Sequence, residues 1–269
     1  AKPQMFLNLF ISNAGLLVIA MGQTIVMITG GIDISVGSVT ALVCMLCAYD
    51  MEKKGMSAYM AVAIALLIGL LFGIVQGFLV SYLEIQPFIV SLAGMFFGRG
   101  MTSIISTDMI SIKNKTFLAW ANYKIYLPIG SYSRRGKFIP AYIYPTVIIA
   151  ILIFIVVLDG LLAGCGGFLF CLNSCSGFVE QAKGLEMDAI SASVIGGTLL
   201  SGGVGTPFGT VFGVLIKGTI SSLITTQGTL SSWWVRIALS ALLCFFIVLR
   251  ALSCMTSVTC RCLFVFFLK

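Results

Sequence analysis

Thr29-Gly30-Gly31-Ile32-Asp33-Ile34-Ser35-Val36-Gly37-Ser38 stands between two apolar runs and carries three hydroxyls, three glycines and one acid. Upstream, Met5–Ile28 is long enough to cross a bilayer, which takes about 20 apolar residues. Downstream, Val39–Tyr49 is apolar up to Asp50 and the charged turn Glu52-Lys53-Lys54-Gly55. Apolar flanks on both sides place the polar stretch at membrane depth. Non-helical backbone survives there only where protein or a water-filled cavity surrounds it. The reading is a broken helix, and such breaks mark transport sites in membrane proteins.

The whole chain agrees with a membrane setting. Of 269 residues, 59% are hydrophobic and 9% charged, with nine acids and sixteen bases. A soluble domain carries about 25% charged residues, so soluble enzymes, nucleic-acid-binding domains and disordered chains are excluded despite the net charge of +7. The apolar runs are continuous, without the alternation of a membrane barrel. The fold class is therefore an all-α polytopic membrane protein, with about six or seven full crossings plus short broken or re-entrant helices. The further spans expected are Tyr59–Leu83, Pro87–Ile105, Tyr142–Leu158, Leu161–Val179, Pro207–Thr225 and Trp233–Leu252. Met109–Pro140 is the long polar stretch, and Ile190–Leu200 is too short to span. No cleavable signal pattern stands at the start.

The absence of histidine excludes Ser-His-Asp and Cys-His nucleophile systems and His-dependent metal sites. No Walker A or Gly-x-Gly-x-x-Gly pattern is present, so any nucleotide consumed must bind another chain. The expectation is no catalytic residue, no metal and no cofactor. Cys44 and Cys47 form a C-x-x-C, but inside an apolar run, where small buried residues are the simpler reading. Asn114-Lys115-Thr116 is a glycosylation sequon, taken as accidental.

The first break has a counterpart. Gly30-Gly31-x-x-x-Ser35-x-Gly37 returns as Gly196-Gly197-x-x-x-Ser201-x-Gly203 in the other half of the chain, a hint of duplication. Gly69, Gly73 and Gly77, and again Gly205, Gly209 and Gly213, repeat every fourth residue; small residues at this spacing let helices approach closely in lipid. Among polar residues at depth, Asp33 is either a helix cap or ion-pair partner, a group on a substrate path, or a proton relay. Gln23 and Gln76 either hydrogen-bond between helices or line a path. Arg99 and Lys217 are expected near helix ends, snorkelling to the interface. Candidate pathway residues are thus Gln23, Gly30, Gly31, Asp33, Ser35, Gln76, Gly196, Gly197 and Ser201.

Thr29–Ser38, Ile85–Gly100 ("IQPFIVSLAGMFFGRG") and Gly184–Gly218 ("GLEMDAISASVIGGTLLSGGVGTPFGTVFGVLIKG") resemble, in order, the permease subunits of bacterial ABC importers for simple sugars, the ribose/galactose group. Gly228–Trp234 ("GTLSSWW") looks most like the galactofuranose-type permeases. The resemblance implies a single transmembrane permease domain over 1–250, with 251–269 an unmatched tail. It implies a multi-pass protein of the bacterial plasma (inner) membrane that provides the path for a simple sugar by alternating access. The implied partners are cytosolic ATPase subunits, a periplasmic sugar-binding protein, a second permease subunit (homo- or heterodimer) and the lipid bilayer, with no nucleic acid.

Against the family pattern, a first helix and an internal cytosolic segment near 158–161 are expected to be missing; that segment contains the coupling helix that meets the ATPase. The alternatives are a non-transporting truncated remnant or an ATP-independent carrier or channel. Lys53-Lys54 and the basic residues of the long loop would lie in the cytosol by the positive-inside rule, but outside by the resemblance, which is followed here.

Overall fold

The computed structural model describes residues 3–132, 138–145, 159–178, 182–200, 202–227, 237, 240–245 and 248. The chain divides into two compact units, Ala1–Gly218 and Thr219–Lys269. In the second unit, 219–227 and 240–245 are helical. The expected spans Tyr142–Leu158 and Trp233–Leu252 fall largely outside the described residues, as does the expected domain boundary at 250/251.

The first unit is built around an interior helix. α1 (Pro3–Ile28) leads through the break at 29–35 into α2 (Val36–Glu52). α2 is buried almost throughout, as an all-round apolar helix should be. It packs against α3 (Ala58–Ser81), α4 (Pro87–Ile105) and α6 (Asp159–Ser174). Cys44 and Cys47 lie in this core, fully covered.

α3 shows how a bundle in lipid inverts the soluble pattern. Its buried positions are Ala58, Ala61, Ala65 and Gly69, one narrow face of small residues. Its large residues, among them Leu67, Leu71, Ile74 and Phe78, are exposed. Lipid tails accept those side chains, while the small face lets the backbones close in. The same logic seats α6, where Gly166 and Gly167 face different neighbours. A Cβ on Gly166 would meet Ile19 of α1, and one on Gly167 would stand 3.1 Å from the Thr40 Cα of α2.

Leu7–Ile28, Ala58–Ser81, Pro87–Ile105 and Pro207–Thr226 are the described helices long and apolar enough to cross a membrane. α2 and α6 are shorter, at 17 and 16 residues. The polar stretch after α4 is not helical throughout. It holds a short strand β1 (Ile110–Ser111), the helix α5 (Lys115–Asn122), and a hairpin of β2 (Ile125–Tyr132) and β3 (Phe138–Ile143). β1 pairs antiparallel with β4 (Ser176–Gly177), just beyond α6. The sequon residue Asn114 has a structural task as the N-cap of α5, accepting from Thr116 N–H at 3.0 Å and Phe117 N–H at 3.3 Å.

Glu52 Oε1 accepts from the N–H groups of Lys113 and Asn114, at 2.6 and 3.0 Å. The Lys53-Lys54 turn and the start of the basic loop therefore share one end of the unit. Both topological rules require this. The 17 residues of α2 put the break about 25 Å away at 1.5 Å per residue.

The last elements are α7 (Leu185–Ile195) and α8 (Pro207–Gln227), separated by the second Gly-rich stretch; α8 belongs to the first unit as far as Gly218. α7 is the short, non-spanning segment implied by Ile190–Leu200, begun one turn earlier by Leu185, Glu186 and Asp188.

Candidate functional site

Both Gly-rich stretches end a helix with the same device. At α1, Gly30 takes φ +82°, its N–H donates to Met27 O and the Gly31 N–H donates to Val26 O, each at 3.0 Å. At α7, Gly197 takes φ +103°, its N–H donates to Val194 O at 2.9 Å and the Thr198 N–H to Ser193 O at 3.0 Å. These are Schellman caps, which need a left-handed residue that glycine supplies without strain. The caps align Gly30 with Gly197, one position away from the sequence match, which paired Gly30 with Gly196. The two breaks also meet. The Gly203 N–H donates to Ile28 O at 2.9 Å, and Gly202 packs on the Gly30 backbone so closely that a Cβ would stand 2.8 Å from the Gly30 Cα.

Beyond its cap, the first break turns polar. Asp33 Oδ1 accepts from both the N–H and the hydroxyl of Ser35, at 2.7 and 2.6 Å. The Ser35 hydroxyl accepts in turn from Gln76 Nε2 of α3 at 2.8 Å. From α4, the Ser91 hydroxyl donates to Ile32 O at 3.1 Å. Gln23 of α1 backs the break from inside. With its amide nitrogen set towards the Asp33 carbonyl, it donates there at 2.9 Å and accepts from the Asp33 N–H at 3.3 Å. Backbone groups that a strand neighbour would pair are thus paired by one side-chain amide.

A cavity of about 260 Å³ opens beside this network, between the end of α1, α3 and α4. Its polar lining comes from Thr29, Asp33, Gln76, Ser81 and Ser91, and Gly31, Gly73 and Gly77 widen it. Asp33 makes no ion pair among the described residues, and its Oδ2 has no hydrogen-bond partner among them. The carboxylate therefore keeps acceptor capacity beside the cavity.

Of the residues singled out by sequence, Gly31, Asp33 and Gln76 line the cavity, and Ser35 joins the last two. Gln23 is fully buried and acts on the Asp33 backbone. Gly196 and Gly197 do not line the cavity. Gly196 lies in backbone contact with Gly209, and Gly197 caps α7. Ser201 lies outside the described residues.

The packing glycines divide in the same way. Gly205, Gly209 and Gly213 have backbone or side-chain atoms of Thr198, Gly196 and Ala192 where a Cβ would go. Gly69 is buried on the packed face of α3. Gly73 and Gly77 instead line the cavity, and a Cβ on Gly77 would meet nothing within 4 Å. The expectation of packing within the bundle is corrected there, because the space beside these two glycines is the cavity.

Arg99 and Lys217 are corrected too. Arg99 pairs with Glu186 at 3.2 Å, and Lys217, 8% exposed, pairs with Asp188 at 2.7 Å. Ser91, Thr29 and Ser81 escaped the sequence reading because small hydroxyls are common in membrane helices, and nothing local distinguishes these three.

A family model described as the permease component of the branched-chain amino acid transport system matches residues 5–158 and 148–248. The chain belongs to this permease family. It is a multi-pass membrane permease, and its relatives are transport subunits. The inner membrane ABC transporter permease protein YjfF of Escherichia coli (strain K12) is 36% identical, covering 93% of this chain and 84% of that protein. The ribose import permease protein RbsC of Bacillus subtilis (strain 168) is 34% identical over 86% of this chain and 80% of its own length. The fructose import permease protein FruG of Bifidobacterium longum (strain NCC 2705) is 28% identical over 90% and 81%. No solved structure gives a significant match.

Proposed function

We propose that this permease imports a simple sugar, with the polar break at 29–35 and its cavity on the translocation path. The observation that carries the reading is the Asp33–Ser35–Gln76 chain beside a 260 Å³ cavity, in a relative of ribose and fructose import permeases. Hydroxyls, an amide and one carboxylate suit a neutral polyhydroxylated solute, which needs many weak donors and acceptors. Coupling to an ion gradient would call for a site of several ligands. Asp33 is the lone ionisable group on the cavity among the described residues.

The permease itself performs no covalent chemistry; cytosolic ATPase subunits hydrolyse ATP, a periplasmic sugar-binding protein delivers the substrate, and a second permease completes the pore. The setting is a bacterial inner membrane.

Two findings support an absent internal segment near 158–161. The family matches meet at 148–158, and the 279 aligned positions with YjfF exceed the share of this chain that they cover. In proteoliposomes holding the chain, its ATPase and a sugar-loaded binding protein, labelled sugar should enter only with ATP. Uptake driven by a proton or sodium gradient without ATP, or no uptake at all, would overturn the proposal.

A further inference from the structure

α2 begins in the interior, at Val36, so its first N–H groups need partners or a compensating charge. Local capping reaches only Ser35, whose N–H and hydroxyl both donate to Asp33 Oδ1. The Ser35 hydroxyl is spent on Asp33 and Gln76 and makes no cap bond, and α2 has no acid in its first turn. What faces that turn comes from the other half of the chain. Glu186, on the first turn of α7, is 6% exposed. Its Oε1 accepts from Arg99 of α4 at 3.2 Å. Its Oε2 is buried without a hydrogen bond and presses on Gly37 of α2, occupying the space a Cβ there would take.

A buried carboxylate with one oxygen unbonded persists only if positive charge compensates it. Here the guanidinium lies on one side and the N-terminal end of α2 on the other. The position matters for the site. Ser35 immediately precedes α2, and Gly94 and Gly98 of α4 touch Ser35, Gln76 and Ser38.

We propose that Glu186 is a positioning residue for the polar break: its carboxylate anchors the N-terminal end of α2, through contact at Gly37, and so fixes Asp33, Ser35 and Gln76 beside the cavity. Arg99 holds the carboxylate, but the anion at α2 is the working element. Gly37 is glycine because Glu186 fills its side-chain space. This rests on the permease reading for its consequence in transport, but the anchor itself is tested without transport.

The first test is hydrogen exchange in the purified full chain, followed on a peptide covering Val36–Thr40. Glu186→Gln should speed exchange there about tenfold, the scale of a partly buried charge at a helix end. Asp188→Asn, which breaks the neighbouring pair with Lys217, should not. Unchanged exchange in Glu186→Gln overturns the anchor whatever the protein transports.

The second test is sugar uptake per permease in the assembled importer. Gly37→Ala should lower it sharply, and Gly37→Ala with Glu186→Asp, which withdraws the carboxylate by one methylene, should recover part of the loss. Glu186→Gln should lower uptake as well, and exchanging the charges, Arg99→Glu with Glu186→Arg, should not restore it, because a cation would then face the positive end of α2. Recovery by that exchange would reduce Glu186 to a plain ion-pair partner and overturn the proposal. Wild-type chain that takes up no sugar while Glu186→Gln still loosens α2 would remove the sugar reading and leave the anchor standing.

Discussion

The two Gly-rich breaks share a cap and differ in everything after it. The first leaves its Schellman glycine, Gly30, and runs through Asp33 and Ser35 into an interior helix. The second leaves Gly197 and reaches Pro207 by a turn in which the Leu199 N–H donates to Val204 O at 2.9 Å. Polar groups of the first are bonded to α1, α3 and α4 and open onto a cavity. Among the described residues of the second, the buried hydroxyl Thr198 Oγ1 has no partner. Instead, backbones touch, with Gly196 on Gly209 and Ala192 on Gly213. One repeat of the motif opens onto a cavity and the other forms a joint. A shared motif therefore establishes a shared turn, and only the neighbours decide its use.

The comparison breaks most visibly at the joint. Gly209→Leu drives a side chain into the Gly196 carbonyl, where no flexible neighbour can yield. Overpacking of this kind costs about 1–3 kcal/mol or more, so folded permease in the membrane should fall severely, as read by detergent-resistant monomer and thermal unfolding.

Next comes the contrast in polar groups. Asp33→Ala removes the acceptor of two Ser35 donors, and bonds to a charged group contribute about 1.5–3 kcal/mol. Uptake should drop about 10- to 100-fold. Thr198→Val removes an unpartnered hydroxyl and should leave unfolding unchanged or raise its midpoint. A large loss of stability in Thr198→Val would abolish the distinction.

The shared cap gives a smaller, symmetrical effect. Gly30→Ala and Gly197→Ala each force a left-handed alanine, at about 1–2 kcal/mol. Their unfolding midpoints should fall together, and unequal shifts would show that the caps are not equivalent.

The smallest effect concerns Gly77, where a methyl enters open space. Gly77→Ala should hold or raise helix stability by about 0.5–1 kcal/mol while narrowing the cavity. Gly205→Ala, crowded by Ile28 and Thr198, should do the opposite.

Much of this was legible beforehand. Pro87 opens α4 where the sequence placed it, α3 and α8 fall within two residues of the expected spans, and the broken helix at Thr29–Ser38 stands as read. Run length and helix-breaking residues are local properties, and one chain displays them. The partners of Arg99 and Lys217 were hidden, since both acids lie far along the chain and only folding brings α7 to α4 and α8. The divided fate of the glycines was hidden as well. Gly77 and Gly213 occupy like positions in like patterns, yet one faces a cavity and the other a carbonyl.

By itself, then, the sequence determined that this is a helical membrane permease with two glycine-broken segments, because hydrophobic length and glycine placement act through the chain's own neighbours. The tertiary structure decided which break opens onto a cavity. A cavity, a carboxylate with acceptor capacity and a buried ion pair exist only where residues distant in sequence are brought together.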